Sequence, residues 1–155
     1  MAITVGAATA VMLLAAMGSA ATAKRRAPRA RTVVVATKRL PKLGVVLVNS
    51  AGRALYIFMP DKQKKVTCVS TCTSIWPQLT LPKGAKPKAT DRVKLALIGS
   101  DPNSGGGRVL TYNRWPLYTY VGDGGPGTAN GQALQLNGGL WYVISPSGTP
   151  IHTKP

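Results

Sequence analysis

The chain has 155 residues, a length that fits one domain, and its 17 Gly and 12 Pro argue against long helices. Twenty Lys and Arg stand against four acids, Asp61, Asp91, Asp101 and Asp123, with no Glu at all, for a formal net charge of +16. That balance leaves paired-carboxylate chemistry only the aspartates to work with, and it favours polyanionic partners without bearing on the fold.

Residues 3–23 carry no charge, surround Val11-Met12-Leu13-Leu14 with Ala, and close on Ala21-Thr22-Ala23 just before Lys24-Arg25-Arg26. A short apolar run ending in small-x-small residues is the pattern of a secretory signal peptide, here residues 1–23 with the cut after Ala23. No basic residue precedes the run, and about 20 residues would also just span a bilayer as an uncleaved anchor. The expectation is cleaved export to a secreted or periplasmic location, with the anchor as its alternative.

Residues 24–42 then bring eight basic residues and no acid. They read as a flexible basic arm. In the plain reading it is a solvated linker; in the sharper one Lys24, Arg25, Arg26, Arg29 and Arg31 contact a polyanion.

An all-β domain is expected over 43–153, as a compact sandwich or barrel-like body. Val45-Val46-Leu47-Val48, Asn49-Ser50-Ala51-Gly52 and Arg53 to Met59 read as strand, turn and strand. Leu81 to Ala89 is rich in Pro and Lys and reads as a loop, and Asp101 to Gly107 as a Gly-rich turn. A second hairpin runs from Arg108 to Tyr112, through Asn113-Arg114, to Pro116–Tyr120. A last strand from Leu140 to Ser145 turns at Pro146-Ser147-Gly148 toward an edge strand over Pro150 to Thr153.

The two hairpins are copies. Leu55-Tyr56-Ile57-Phe58-Met59-Pro60-Asp61 aligns without a gap on Leu117-Tyr118-Thr119-Tyr120-Val121-Gly122-Asp123, and a Trp follows each, Trp76 and Trp141. Repeat one spans about 43–80 and repeat two about 107–148, each a block that needs the other to cover its apolar face. Strand alternation puts Tyr56 and Phe58 on one face and Leu55, Ile57 and Met59 on the other, so these strands should be covered on both sides. Tyr118 and Tyr120 pair in the same way. Tyrosine at the first motif position calls for a hydroxyl partner. Asp61 and Asp123, just past the strand ends, suit turn locks that accept backbone N–H groups. As cation ligands they would fall short of the six to eight oxygens that calcium takes.

These segments resemble the bacterial secreted and lipoprotein family defined by repeated Tyr-x-[Phe/Tyr/Trp]-x-x-Asp motifs. The likeness extends over Leu43 to Asn49, Gly52 to Tyr56, Cys68, Cys72, Trp76-Pro77, Gly122-Asp123, Pro126-Gly127, Gly131-Gln132, Trp141 to Val143 and Ser145 to Gly148. The resemblance implies an extracytoplasmic tandem-repeat β domain and brings no catalytic residues with it. No Cys stands at the expected cleavage point, so a lipid anchor is not implied for this chain.

Cys68 and Cys72 are the only cysteines. In an exported protein an even count reads as a disulfide. A c-type haem would need Cys-x-x-Cys-His, and zinc would need four ligands where these two and the lone His152 offer three. Cu(I) suits a thiolate pair, but the copper-delivery proteins with this spacing have a βαβ pattern that is missing here. No metal and no cofactor is expected. The single His152 lies near the C-terminus, without the partners of a nucleophile triad, and the expectation is a non-enzyme.

Three functional classes follow. The first is an exported, envelope-associated structural or binding module whose partners are anionic envelope polymers, lipid headgroups or acidic proteins. The second is a thiol or copper redox accessory using Cys68 and Cys72. The third is nucleic-acid binding through basic and aromatic residues, which export disfavours.

Overall fold

A computed structural model of the chain describes residues 1–3, 31–61 and 65–154. Residues 4–23 of the expected signal peptide and the basic residues Lys24, Arg25, Arg26 and Arg29 lie outside the described residues. Among those described, nine strands and one short helix follow in order: β1 (Thr32–Leu40), β2 (Gly44–Asn49), β3 (Tyr56–Phe58), α1 (Cys72–Ile75), β4 (Lys86–Ala89), β5 (Ile98–Pro102), β6 (Arg108–Tyr112), β7 (Trp115–Pro116), β8 (Leu134–Leu136) and β9 (Gly139–Val143). They form three small sheets, β2-β1-β4, β3-β9-β8 and β5-β6-β7. The fold is all-β, and none of these sheets closes into a barrel.

Strand β1 corrects one expectation. The stretch 24–42 reads as a flexible arm on its charge, yet from Thr32 to Leu40 it is a strand paired antiparallel with β2. The β-branched run Val33-Val34-Val35 outweighs the cations. Val35 and Leu40 are buried, while Lys38 and Arg39 stay exposed. A strand with one wet face carries charge without cost to its ladder.

The expected loop over Leu81 to Ala89 is corrected as well. Its last four residues are β4, which lies parallel to β1 with Val34 opposite Lys88. Pro87 fits there because β4 is an edge strand, where a missing N–H removes no inner ladder bond. Strands β5 and β8 have no counterpart in the sequence reading.

The first hairpin turns where its residues indicate. Asn49 Oδ1 accepts the N–H groups of Ala51 at 3.0 Å and Arg53 at 3.1 Å, and Gly52 takes φ +73°. Val48 pairs with Ala54, and then the chain leaves β2, so that β3 pairs with β9 instead. In the second hairpin Asn113 and Arg114 both have positive φ, the type I′ geometry that suits a two-residue connection. Beyond β7 the second copy is held by single bridges, Tyr118 opposite both Tyr56 and Gln78. The expected edge strand over Pro150 to Thr153 is not a strand: it is held by one bridge, Ile144 opposite Pro150, and by the Ile151 N–H on the Val143 carbonyl at 3.0 Å.

Alternation along the first motif separates two cores. Tyr56 and Phe58 point into one, with Trp76, Tyr118, Trp141 and Val143. Leu55 and Ile57 point into the other, with Val35, Leu47, Leu110, Tyr112, Leu117 and Ile144. Every residue of β3 is buried. The strand is thus covered on both faces, and the motif sits at the middle of the molecule.

Candidate functional site

Tyr56 and Tyr118, the first residues of the two motifs, lie directly opposite each other. Tyr56 N–H donates to the Tyr118 carbonyl at 2.8 Å, and Tyr118 N–H returns the bond at 3.0 Å. Both rings enter the same core, and each hydroxyl then reaches into the other repeat. Tyr56 OH donates to the Asp123 carboxylate, 3.1 and 3.0 Å from its two oxygens. Tyr118 OH donates to Asp61 Oδ2 at 2.5 Å. The two motifs are therefore cross-linked, each tyrosine to the aspartate of the opposite copy.

Each aspartate also closes its own loop. Asp61 Oδ1 accepts the Thr67 N–H at 2.7 Å and the Thr67 hydroxyl at 2.5 Å. Asp123 Oδ1 accepts the Asn130 N–H at 2.8 Å. Both carboxylates are almost wholly inaccessible, Asp61 at 0% and Asp123 at 3% exposure. Burial pushes both carboxyls above their ordinary value, against the opposing pull of these donors. Asp123 is also eased downward by the Arg53 charge, and Arg53 Nη1 donates to the Asp123 backbone carbonyl at 3.1 Å. Burial and the facing carboxylate drive both tyrosine hydroxyls far above their ordinary value, so both remain protonated donors.

The remaining aromatics stack across the same divide. Tyr120, Trp76, Trp141 and Phe58 form one column, with successive ring centroids 4.3, 3.8 and 4.3 Å apart. The two tryptophans are parallel to within 3° at its centre. Phe58 of the first motif thus caps the tryptophan of the second repeat, and Tyr120 of the second motif caps that of the first. Tyr56 meets Trp76 edge-on at 5.4 Å, and Tyr118 meets Trp141 edge-on at 5.1 Å. Tyr120 is the one motif aromatic left half-buried.

The symmetry breaks at two points. Trp141 Nε1–H donates to the Leu136 carbonyl at 3.0 Å, whereas the buried Trp76 Nε1–H has no acceptor among the described residues. Gly131 N–H donates to the Tyr56 hydroxyl at 3.2 Å. A Cβ at Gly131 would lie 2.7 Å from Trp76 Cη2, so only glycine lets this backbone come so close.

Cys68 and Cys72 form a disulfide that closes the loop leading through α1 to Trp76-Pro77. The Cys68 carbonyl accepts from Gln78 Nε2 at 2.9 Å, which ties this loop to the following strap. His152 lies against Tyr142, with centroids 4.7 Å apart. No group of three His, Cys, Asp or Glu among the described residues could hold a metal. Arg31 is the one polyanion candidate of the basic arm that is described, and it is exposed.

Some partners left little trace in the sequence. Thr67, Asn130 and Arg53 complete the aspartate sites. Gln132 is buried, donating to the carbonyls of Ile151 and Thr153 and accepting the Val143 N–H. For Thr67 and Asn130 the only available signal was position, beside Cys68 and Gly131, whereas Arg53 and Gln132 lie within the segments that resemble the secreted family.

This geometry defines a class: a duplicated β module in which each repeat supplies the acid, the tryptophan cap and the strand contact that the other needs. Two segments of the chain, residues 39–80 and 102–145, match one family, described as a secreted repeat of unknown function. The chain belongs to that family of secreted repeats, and each matched segment carries one copy of the motif with its aspartate and tryptophan. Comparison with curated proteins and with solved structures returns no match. Among the described residues no helix is long and apolar enough to cross a membrane.

Proposed function

We propose that the protein is a non-enzymatic, envelope-associated module that binds anionic polymers through its surface charge. The observation that supports this reading is where the carboxylates go. Asp61, Asp101 and Asp123 are buried, so Asp91 is the only side-chain carboxylate left on the surface of a chain with 20 Lys and Arg. Lys38, Arg39, Lys86 and Lys88 are all exposed, and Asp91, which accepts the Thr37 N–H at 3.4 Å, is a single carboxylate set among them. A surface of one sign attracts polyanions over several ångströms and is screened by salt. The motif residues, for their part, are consumed in holding the repeats together.

Binding of the mature protein to inorganic polyphosphate and to phosphatidylglycerol vesicles tests the reading. Affinity should fall steeply between 50 and 200 mM salt, by orders of magnitude if several phosphates are contacted. Lys86→Glu with Lys88→Glu should weaken it at fixed salt. Binding that ignores both salt and these substitutions would overturn the proposal.

A further inference from the structure

Beside the disulfide loop, the strap that links the first repeat to the rest of the chain forms the floor of a cleft. From Pro77 to Leu81 it is fixed by backbone bonds on one side: Leu79 N–H to the Leu117 carbonyl, Leu110 N–H to the Leu79 carbonyl and Leu81 N–H to the Arg108 carbonyl, at 2.8 to 2.9 Å. Leu79 and Leu81 pack on the second core, and alternation turns Gln78 and Thr80 toward the cleft. One wall carries Ser70 and Thr73, on the loop that the Cys68–Cys72 disulfide closes. The opposite wall is the β5–β6 turn, with Asn103 and Ser104. The cavity measures about 510 Å3.

Gln78 spans this floor. Its Nε2 donates to the Cys68 carbonyl at 2.9 Å, and its Oε1 accepts from Asn103 Nδ2 at 2.6 Å, so both walls are pinned to the strap. A second cavity of about 470 Å3 shares Gln78 and Thr80 and continues past Asn49 and Ser50 to Arg31. Together they make an elongated groove. Ser, Thr, Asn and Gln side chains, which both donate and accept, alternate along it with apolar surface from Val33, Val34, Val69 and Pro82; a cation stands at one end, and no carboxylate, imidazole or thiol lines it among the described residues.

We propose that this groove binds a segment of an acidic sugar chain, its hydroxyls against the Ser, Thr, Gln and Asn side chains and its acid groups toward Arg31. The inference rests on the polyanion reading above and narrows it. A polyphosphate could use the cation and the hydroxyl donors, but it has no C–H face to set against Val33, Val34 and Pro82. A compact ligand would leave half of the groove empty. A pinned, pre-formed floor loses little freedom on binding, and the volumes are those of ordinary ligand sites.

The experiment titrates the mature protein with tetragalacturonate, with its fully methyl-esterified and hence uncharged form, and with inorganic polyphosphate. Calorimetry and amide NMR are the readouts. Tetragalacturonate should move the Gln78 side-chain amide and the Gly105 N–H resonances. Ser104→Trp, placed on an exposed turn to fill the cleft, should weaken tetragalacturonate at least tenfold and leave polyphosphate binding and thermal stability unchanged. The NMR arm needs no variant. Equal binding by wild type and Ser104→Trp, with shifts elsewhere, would overturn the groove and leave the polyanion reading standing. Equal binding of the esterified form would overturn the acidic class of ligand. Failure of both tetragalacturonate and polyphosphate at low salt would overturn the polyanion reading, and this inference with it.

Discussion

Tyr118 donates its hydroxyl proton to Asp61 Oδ2 at 2.5 Å across 57 residues of chain, and Tyr56 makes the corresponding bond to Asp123 across 67. The shared motif is thus completed between repeats rather than within one. The bonded carboxylates are buried and meet no lysine or arginine side chain directly in these bonds. Their charge is held by hydroxyl and N–H donors, a costly arrangement unless every donor is present.

Crossed pairing has an energetic signature. Tyr118→Phe should destabilise by about 1.5–3 kcal/mol, the range for a hydrogen bond to a charged group. Asp61→Asn should cost about 0.5–2 kcal/mol, as a lost cap-type bond does. In urea melts the pairs Tyr118 with Asp61 and Tyr56 with Asp123 should be coupled. Tyr56 with Asp61 should be close to additive. Coupling within each motif instead of across them would contradict the geometry.

Alkali should unfold the protein cooperatively. Burial raises both motif tyrosines far above their ordinary value of 10.0, so above that pH the unfolded chain loses protons that the folded chain keeps. Their contribution is fully present below about pH 10 and lost as pH rises beyond it. Tyrosinate absorbance from Tyr56 and Tyr118 should appear only together with loss of near-ultraviolet dichroism. Smooth titration of Tyr56 and Tyr118 in the folded state would refute this.

On the acid side the aspartates act against the usual trend. Their folded values are raised above 3.8, so the folded state binds protons more tightly than the unfolded one. The resulting stability is greatest below about 3.8 and is lost as pH rises through the folded values. From neutral pH toward pH 4 the urea midpoint should therefore rise on account of these two groups. Asp61→Asn should flatten that rise, and a midpoint that falls equally in both proteins would show the sign to be wrong.

Close packing at the column makes Gly131 sensitive. Gly131→Ala would force a methyl group against Trp76 and should cost about 1–3 kcal/mol by overpacking. Trp141→Ala removes the centre of the column and should cost about 3–5 kcal/mol. Thermal melts with tryptophan fluorescence measure both. A neutral Gly131→Ala would mean that the backbone gives way there.

The Cys68–Cys72 bond closes only a short loop, so its reduction should cost only about 2 kcal/mol in the chain-entropy model. The protein should stay folded in reductant with a lower melting temperature. Its strongest spectral change should come from Trp76, which follows the loop. Complete unfolding on reduction would show that the bond carries the fold.

Much of the architecture was legible because it depends on local periodicity. The gapless copy of Leu55 to Asp61 in Leu117 to Asp123 announced two equivalent units, and alternation assigned Tyr56 and Phe58 to one core and Leu55 and Ile57 to the other. Charge misled where it stood on an exposed face: Lys38 and Arg39 hid β1, and Lys86, Pro87 and Lys88 hid an edge strand. A sequence shows that a buried tyrosine wants an acceptor, but not which one, because the choice depends on where two distant strands lie side by side.

What the sequence alone determined is that this is a duplicated, strongly basic, all-β chain with a Tyr-x-aromatic-x-x-Asp motif in each half. Residue type and spacing suffice for that, since strand alternation and turn preference act over a few neighbours. Only the tertiary structure decided that the motifs exchange partners, that the tryptophans meet at the centre, and that three of the four carboxylates leave the surface. Those outcomes come from contacts between residues some 60 positions apart, which the chain brings together only when both repeats fold onto each other.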